Sequence, residues 1–285
     1  PDSKEMIAKE IFTATDSALF ALFGAALGAV IGSFLNVIIH RVPRGESIVM
    51  PRSRCPQCGT AIRPQDNIPV LSYLVLGGRC RACRAPISAR YPLVEALTAA
   101  LFAVAFARVG LTMELAFDLA FIAVVLALIF IDAEHMLLPN AITYPGFIMV
   151  LAARTLVPRV DLVNLHGYPL WANSLIGALA GAAFGAGTLW LARVAWRRLR
   201  GVEAMGLGDV KMMLMIGAYL GLPRTAVAMF LAFVIGAAVG IAVMFARGER
   251  DLQMMLPFGI FLGVGAMVAL FFGDALLSWY LQFFF

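Results

Sequence analysis

The stretch Phe117-Asp118-Leu119-Ala120-Phe121-Ile122-Ala123-Val124-Val125-Leu126-Ala127-Leu128-Ile129-Phe130-Ile131-Asp132 decides the fold class. From Leu119 to Ile131 every side chain is apolar, and the run ends on an acid. A carboxylate at membrane depth costs roughly 2.5–3.5 kcal/mol on insertion scales, so its default reading is functional, with a partner to be found. The second acid set against apolar sequence is Asp209, in Met205-Gly206-Leu207-Gly208-Asp209-Val210-Lys211. Two carboxylates that meet in space can share a proton and activate a water, as in aspartic proteases.

The rest of the chain agrees with a membrane setting. Of 285 residues, 62% are hydrophobic and 14% charged, against about 25% charged in an average soluble domain. The mean hydropathy is +0.90. Apolar runs fall at Ser17–Ile39, Leu93–Val109, Glu114–Ile131, Ala141–Val157, Ala172–Val194, Val210–Leu222, Thr225–Ala246 and Met255–Phe283. A helical span needs about 20 such residues, so the sequence predicts an all-α polytopic membrane protein of about eight transmembrane helices. The sixth run is short, and as a partial span it would leave seven. The alternation that a membrane barrel needs is absent.

Ser17–Ile39 is too long for the apolar core of a secretory signal and lacks a basic segment before it. Asp2, Glu5, Glu10 and Asp16 precede it and Arg41 and Arg44 follow, which places the N-terminus outside. Segments 41–92, 132–140, 193–211 and 247–254 are then cytoplasmic. They hold 9, 0, 5 and 2 basic residues, 16 of the 22 lysines and arginines. The same bias puts Asp132 and Asp209 on the cytoplasmic side. Segment 41–92 carries nine arginines against Glu46 and Asp66, a net +7 that exceeds the +5 of the whole chain. Beside a membrane such charge meets anionic lipid head groups, and the membrane lipids rather than a nucleic acid are the expected partner.

All four cysteines lie in that basic segment, as Cys55-Pro56-Gln57-Cys58 and Cys80-Arg81-Ala82-Cys83. Two Cys-x-x-Cys pairs so spaced fold as knuckles that present four thiolates to zinc, a structural site with no position open for water. Stable disulfides are rare in the reducing cytoplasm, and a redox Cys-x-x-Cys needs only one pair. Gly59 and Gly77-Gly78 are the expected turn residues. Prolines 51, 56, 64, 69 and 86 break regular structure, so metal binding should supply much of the folding energy.

Pro139 follows Asp132 closely, which sets Asp132 near the C-terminal end of its helix. Gly206 and Gly208 would let another backbone, such as an unwound substrate strand, approach Asp209. The plainer reading makes Asp209 a helix cap or first-turn residue. Glu134, Glu95, Asp118 and Asp274 are weaker candidates for a dyad. His40, His135 and His166 have no metal-site spacing, and neither a Gly-x-Ser-x-Gly elbow nor a His-Glu-x-x-His pattern occurs.

The chain resembles the bifunctional type IV prepilin peptidases, bacterial inner-membrane leader peptidase/N-methyltransferases of the Gly-x-Gly-Asp aspartic protease class. The resemblance rests on Gly32-Ser33-Phe34-Leu35-Asn36-Val37-Ile38-Ile39-His40-Arg41, the paired Cys-x-x-Cys loop and Arg90-Tyr91-Pro92-Leu93-Val94-Glu95. It continues through Asp132 with Leu138-Pro139, then Gly206-Leu207-Gly208-Asp209-Val210-Lys211 and Pro257-Phe258-Gly259. It implies Asp132 and Asp209 as catalytic residues, prepilins and pseudopilins of type IV pili and type II secretion as substrates, and cleavage of a basic leader. Methylation of the new α-amine from S-adenosylmethionine would follow, with Asn36, Arg41 and Glu95 as candidate residues near the cysteine loop. It divides the chain into an external segment and first helix (1–40), a zinc-binding loop domain (41–92) and a transmembrane peptidase domain (93–285). His40 replaces an expected Tyr, Ile260 an expected second Pro, and Arg154–Trp171 reads as an insertion. The competing readings are a proton- or cation-coupled transporter and a zinc-dependent scaffold without catalysis.

Overall fold

In a computed structural model, residues 3–159, 167–201, 205–247 and 256–283 are described, and the side chains from 17 onward. The chain forms two compact units, 1–127 and 128–285. The break falls inside the helix that carries the Phe117–Asp132 run.

The first unit contains α1 (Ser3–Arg41), a short 3-10 turn at Val42–Arg44, the cysteine loop, α2 (Leu71–Val75), α3 (Arg90–Val109) and most of α4 (Met113–His135). Helix α1 carries Gly24, Gly28 and Gly32, spaced four apart on one face. A Cβ at these positions would lie 2.6, 2.6 and 2.7 Å from Phe106, Thr98 and Glu95 of α3. The pairing runs in opposite directions along the two helices, so they are antiparallel and cross at backbone contact. Small residues allow this approach where lipid gives helices no hydrophobic reason to associate.

The second unit contains the end of α4, then α5 (Asn140–Leu156), α6 (Leu170–Arg200), α7 (Leu207–Arg247) and α8 (Phe258–Leu281). Gly181 of α6 and Gly217 of α7 face each other's carbonyl oxygens, at 2.2 and 2.4 Å from where a Cβ would be. Gly265 of α8 meets the Ala228 carbonyl of α7 in the same way, at 2.3 Å. Met212, Met213, Met215 and Ile216 fill the core beside these crossings.

Helix α7 unites the sixth and seventh apolar runs across a kink at Gly221 (φ 73°, ψ 171°), two residues before Pro223. Proline removes a helix donor and clashes with the preceding turn. Thr225 Oγ1 repairs the break by donating to the Gly221 carbonyl at 2.6 Å. By length and composition, six helices among the described residues can cross a membrane: Ser17–Arg44, Arg90–Val109, Met113–His135, Leu170–Arg200, Leu207–Arg247 and Phe258–Leu281. All eight apolar runs fall on helices. The difference from eight arises because α5 has only 17 residues and α7 counts once although its 41 residues hold two helices. Among the described residues the β pairs are two isolated bridges, Arg54–Ala61 and Arg79–Pro86.

Candidate active site and metal centre

Asp132 lies in the last turn of α4 and Asp209 in the first turn of α7. Both are in the second unit, and they are 5% and 8% exposed. Just past Asp132 the chain reverses. Met136 takes a left-handed conformation (φ 49°) and its N–H donates to the Asp132 carbonyl at 2.9 Å, ending α4 as left-handed residues commonly do. Asp209 sits where a helix dipole favours an acid. Its carboxylate accepts from the backbone of Gly206 and from its own amide, and it feels the field of Asp132. The structure therefore brings the two predicted aspartates together.

The two glycines before Asp209 do different things. A Cβ on Gly208 would lie 2.9 Å from Cβ of Leu138, so the protein's own α4–α5 connection fills that space. Among the described residues, a Cβ on Gly206 would meet nothing closer than Asp209 Oδ2, at 3.5 Å. Lys211 fixes the same connection from α7, donating to Asn140 Oδ1 at 2.9 Å and lying 5.4 Å from the centre of the Tyr144 ring.

Sequence reasoning left one part of this site without a role. The start of α8 abuts Asp132, and a Cβ on Gly259 would lie 2.8 Å from its Oδ2 and 3.0 Å from its Cγ. The amides of Gly259 and Ile260 donate to the carboxyl group, as first-turn amides do for anions. Oδ2 itself is buried and has no hydrogen-bond partner among the described residues. Pro257-Phe258-Gly259 was visible as a motif, but nothing in the sequence said which acid it would meet. Ile260, the departure from the expected Pro, supplies an N–H that proline lacks.

The four cysteines belong to the first unit. Their sulfurs all lie within 4.8 Å of one another, with Cys55 and Cys83 at 3.9 Å. Zinc–sulfur bonds of about 2.3 Å in a tetrahedron require sulfurs about 3.8 Å apart, so the donor set fits a zinc ion. The knuckles repeat each other. Cys55 N–H donates to the Thr60 carbonyl and Cys80 N–H to that of Ala85, both at 2.9 Å. The residue four past each leading cysteine is left-handed, Gly59 (φ 70°) in one and Arg84 (φ 61°) in the other. Gly77 and Gly78 are also left-handed, but they turn the chain after α2 rather than within the second knuckle. Thr60 beside Cys58 brings its thiol down to about 6. Cys83 is held the other way, at about 11, a backbone hydrogen bond from Ala85 being outweighed by desolvation and the neighbouring thiols of Cys58, Cys80 and Cys55. Successive thiolates repel, and a dication removes that repulsion.

Asn36, Arg41 and Glu95 are also in the first unit. Asn36 Nδ2 donates to the Tyr91 carbonyl at 3.0 Å, while its buried Oδ1 has no partner among the described residues. Glu95 Oε2 accepts from Val70 N–H at 2.7 Å, and its carboxylate also bonds Ser33. These form one polar cluster at the α1–α3 crossing. Arg41 differs, since its guanidinium donates to the Ser47 and Pro51 carbonyls at 2.7 and 2.6 Å and so ties down the start of the loop. His40 pairs with Arg44 through Nδ1 at 3.0 Å. Of the stretch Arg154–Trp171, read from the sequence as an insertion, residues 160–166, His166 among them, lie outside the described residues, as do the ends of the chain.

Such a protein is a multi-pass helical membrane protein with a buried aspartate pair in one unit and four clustered thiols that could hold a metal ion in the other. Comparison with known proteins carries this further. Residues 26–109 match the bacterial peptidase A24 N-terminal domain, and residues 119–241 match the type IV leader peptidase family. A prepilin leader peptidase/N-methyltransferase of Burkholderia pseudomallei (strain 1026b) is 37% identical over 92% of this chain and 88% of its own length. One of Pseudomonas aeruginosa is 34% identical over 95% and 97%, and one of Myxococcus xanthus is 41% identical over 81% and 65%. No solved structure matches. The chain belongs to the type IV prepilin leader peptidase family.

Proposed function

We propose that the protein cleaves the basic leader from type IV prepilins and type II secretion pseudopilins at the cytoplasmic face of a bacterial inner membrane, and then methylates the new N-terminal amine. The observation that carries the peptidase reading is the burial of Asp132 and Asp209 within each other's field, at the end of one helix and the start of another. A water-activating pair needs one carboxylate as base and one as acid. We assign the proton transfer at Asp132 to Oδ2, because the amides of Gly259 and Ile260 hold the group in place without engaging that oxygen. Gly206 marks the side from which an unwound substrate backbone reaches Asp209, while Gly208 lets the site's own loop close. Transporter chemistry has no support in the matched families.

The second activity belongs to the polar cluster at the α1–α3 crossing. S-adenosylmethionine supplies an activated methyl group when bound. Asn36, with a buried acceptor to offer, is the strongest of the three candidates to hold the donor or the incoming amine. Glu95 supports the cluster from α3, and Arg41 positions the loop. Zinc, held by Cys55, Cys58, Cys80 and Cys83, folds that loop and takes no part in either reaction.

The test is direct. Purified protein should clip a prepilin in detergent, and Asp132→Asn and Asp209→Asn should each abolish clipping while methyl transfer to a pre-cleaved pilin continues. Clipping by either variant at more than a few per cent of the normal rate would remove the pair from the mechanism.

A further inference from the structure

Loop residues 64–76 contain a feature that neither activity uses. Leu71 N–H donates to the Pro69 carbonyl at 2.6 Å, and the residue between, Val70, has φ 61° and ψ −50°. This is the rare γ-turn with a positive central φ, strained even for ordinary residues and more so for a β-branched one. The turn is clamped from outside the loop, because Val70 N–H donates to Glu95 Oε2 at 2.7 Å. It launches α2, whose Leu71, Leu74 and Val75 are spaced i, i+3 and i+4 and so share one face. That face is bare, with Leu71 60%, Leu74 66% and Val75 81% exposed. Ile68, just before the turn, is 49% exposed.

The clamp fixes the depth of this face. Helix α3 has 20 residues, which at about 1.5 Å each span about 30 Å, the thickness of the hydrocarbon core. All of α3 is therefore needed to cross. Glu95 is its sixth residue, about 7.5 Å in from the start of the helix. A segment bonded to Glu95 cannot stand off in the aqueous phase and is held level with the boundary between head groups and acyl chains. The charge around it suits that place. Segment 41–92 has a net +7, and of its two acids Asp66 is already taken by Arg81, with contacts of 2.6 and 3.0 Å.

We propose that α2 is an interfacial foot, its Leu71–Leu74–Val75 face inserted into the anionic leaflet at which α1 ends and α3 begins, with Glu95 setting its depth through the Val70 turn. An apolar face flanked by arginines is what such monotopic segments present to lipid. Arg63 and Arg79, on either side of α2, reach the head groups.

The experiment uses the full chain with Leu74→Trp, reconstituted in nanodiscs of phosphatidylglycerol or of phosphatidylcholine. Fluorescence is taken as the difference from the unsubstituted protein, and lipids brominated near the head of the acyl chain serve as quenchers beside aqueous iodide. Bromolipid should quench the added tryptophan by at least half, with at least twofold less quenching by iodide than in free tryptophan, and more strongly in phosphatidylglycerol. Adding Glu95→Ala, which removes the acceptor for Val70 N–H, should move the probe outward and raise iodide quenching about twofold or more. Iodide quenching as strong as for free tryptophan would overturn the proposal, and so would a probe that neither quencher reaches, since it would be covered by protein. Equal bromolipid quenching in both lipids would overturn the role given to the arginines.

Discussion

Asp209 is held by a helix that packs to backbone contact with its neighbours and Asp132 by the start of α8, whereas the four cysteines are held by turns. Around the aspartates, Met212, Met213, Met215 and Ile216 are wholly buried, and glycine crossings lock α7 against α6 and α8. Between residues 41 and 92 no described side chain is fully buried. The carboxylate pair is thus set in place by the fold. On the proposed reading, a metal held by the cysteines would help to fold the loop, since a loop without a core has little else to offset the entropy of ordering it.

The sharpest way to break this comparison is at the aspartates. Asp132→Asn and Asp209→Asn should each lower prepilin cleavage by about a thousandfold or more, the usual order for losing an acid–base partner together with its charge. The helical circular dichroism and thermal midpoint should change little, because the glycine crossings do not depend on either carboxylate. A large loss of stability in both variants would show that the pair holds the second unit together instead.

The cysteine loop should respond in the opposite sense. Cys58→Ser or Cys80→Ser should lower bound zinc from one ion per chain to well below that, read by elemental analysis. Limited proteolysis within residues 42–89 should speed up by about tenfold or more as the loop loses its coupled folding energy. Oxidised thiols with no zinc in the unsubstituted protein would remove the metal from the account.

The third change probes the packing that the sequence did not reveal. Gly259→Ala places a methyl 2.8 Å from Asp132 Oδ2, so the carboxyl must move by a few tenths of an ångström to an ångström. Misplacement on that scale costs roughly 10- to 100-fold in rate, so cleavage should fall by that amount with KM nearly constant. Methyl transfer, which we propose for the polar cluster of the first unit, should be unaffected. Wild-type cleavage by this variant would show that Asp132 tolerates the intrusion.

How much of this was legible in the chain follows from the same physics. The apolar runs, the acid at the end of one and the spacing of the cysteines are local patterns, so the helices could be read directly and both groups of candidate residues stand out. The neighbours of those residues are set by long-range packing. Leu138 filling the space at Gly208, the α8 amides at Asp132 and the Glu95–Val70 clamp join residues 25 to 128 positions apart, and no periodicity encodes such pairs. The kink at Gly221 lies between. The sequence showed two apolar runs, Val210–Leu222 and Thr225–Ala246, but the Thr225 hydrogen bond and the packing against Gly181 show why the two halves stay one element.

The smallest effect separates the two knuckles from each other. They share a backbone, yet the left-handed position is Gly59 in the first and Arg84 in the second. A non-glycine residue in that conformation costs about 1 kcal/mol. No atom lies within 4 Å of where a Cβ on Gly59 would be, so Gly59→Ala would bring conformational strain and no clash. Because folding and metal binding are coupled here, about 1 kcal/mol appears as roughly fivefold in zinc affinity. Gly59→Ala should therefore weaken zinc binding by about fivefold. Arg84→Gly should strengthen it, but by less, since glycine also gains freedom in the unfolded loop. Competition with a chelator of known affinity reads both. Opposite signs for the two substitutions would show the loop and its metal to be one folding unit. Affinity unmoved by either would mean that the four thiolates bind zinc whatever the turns do.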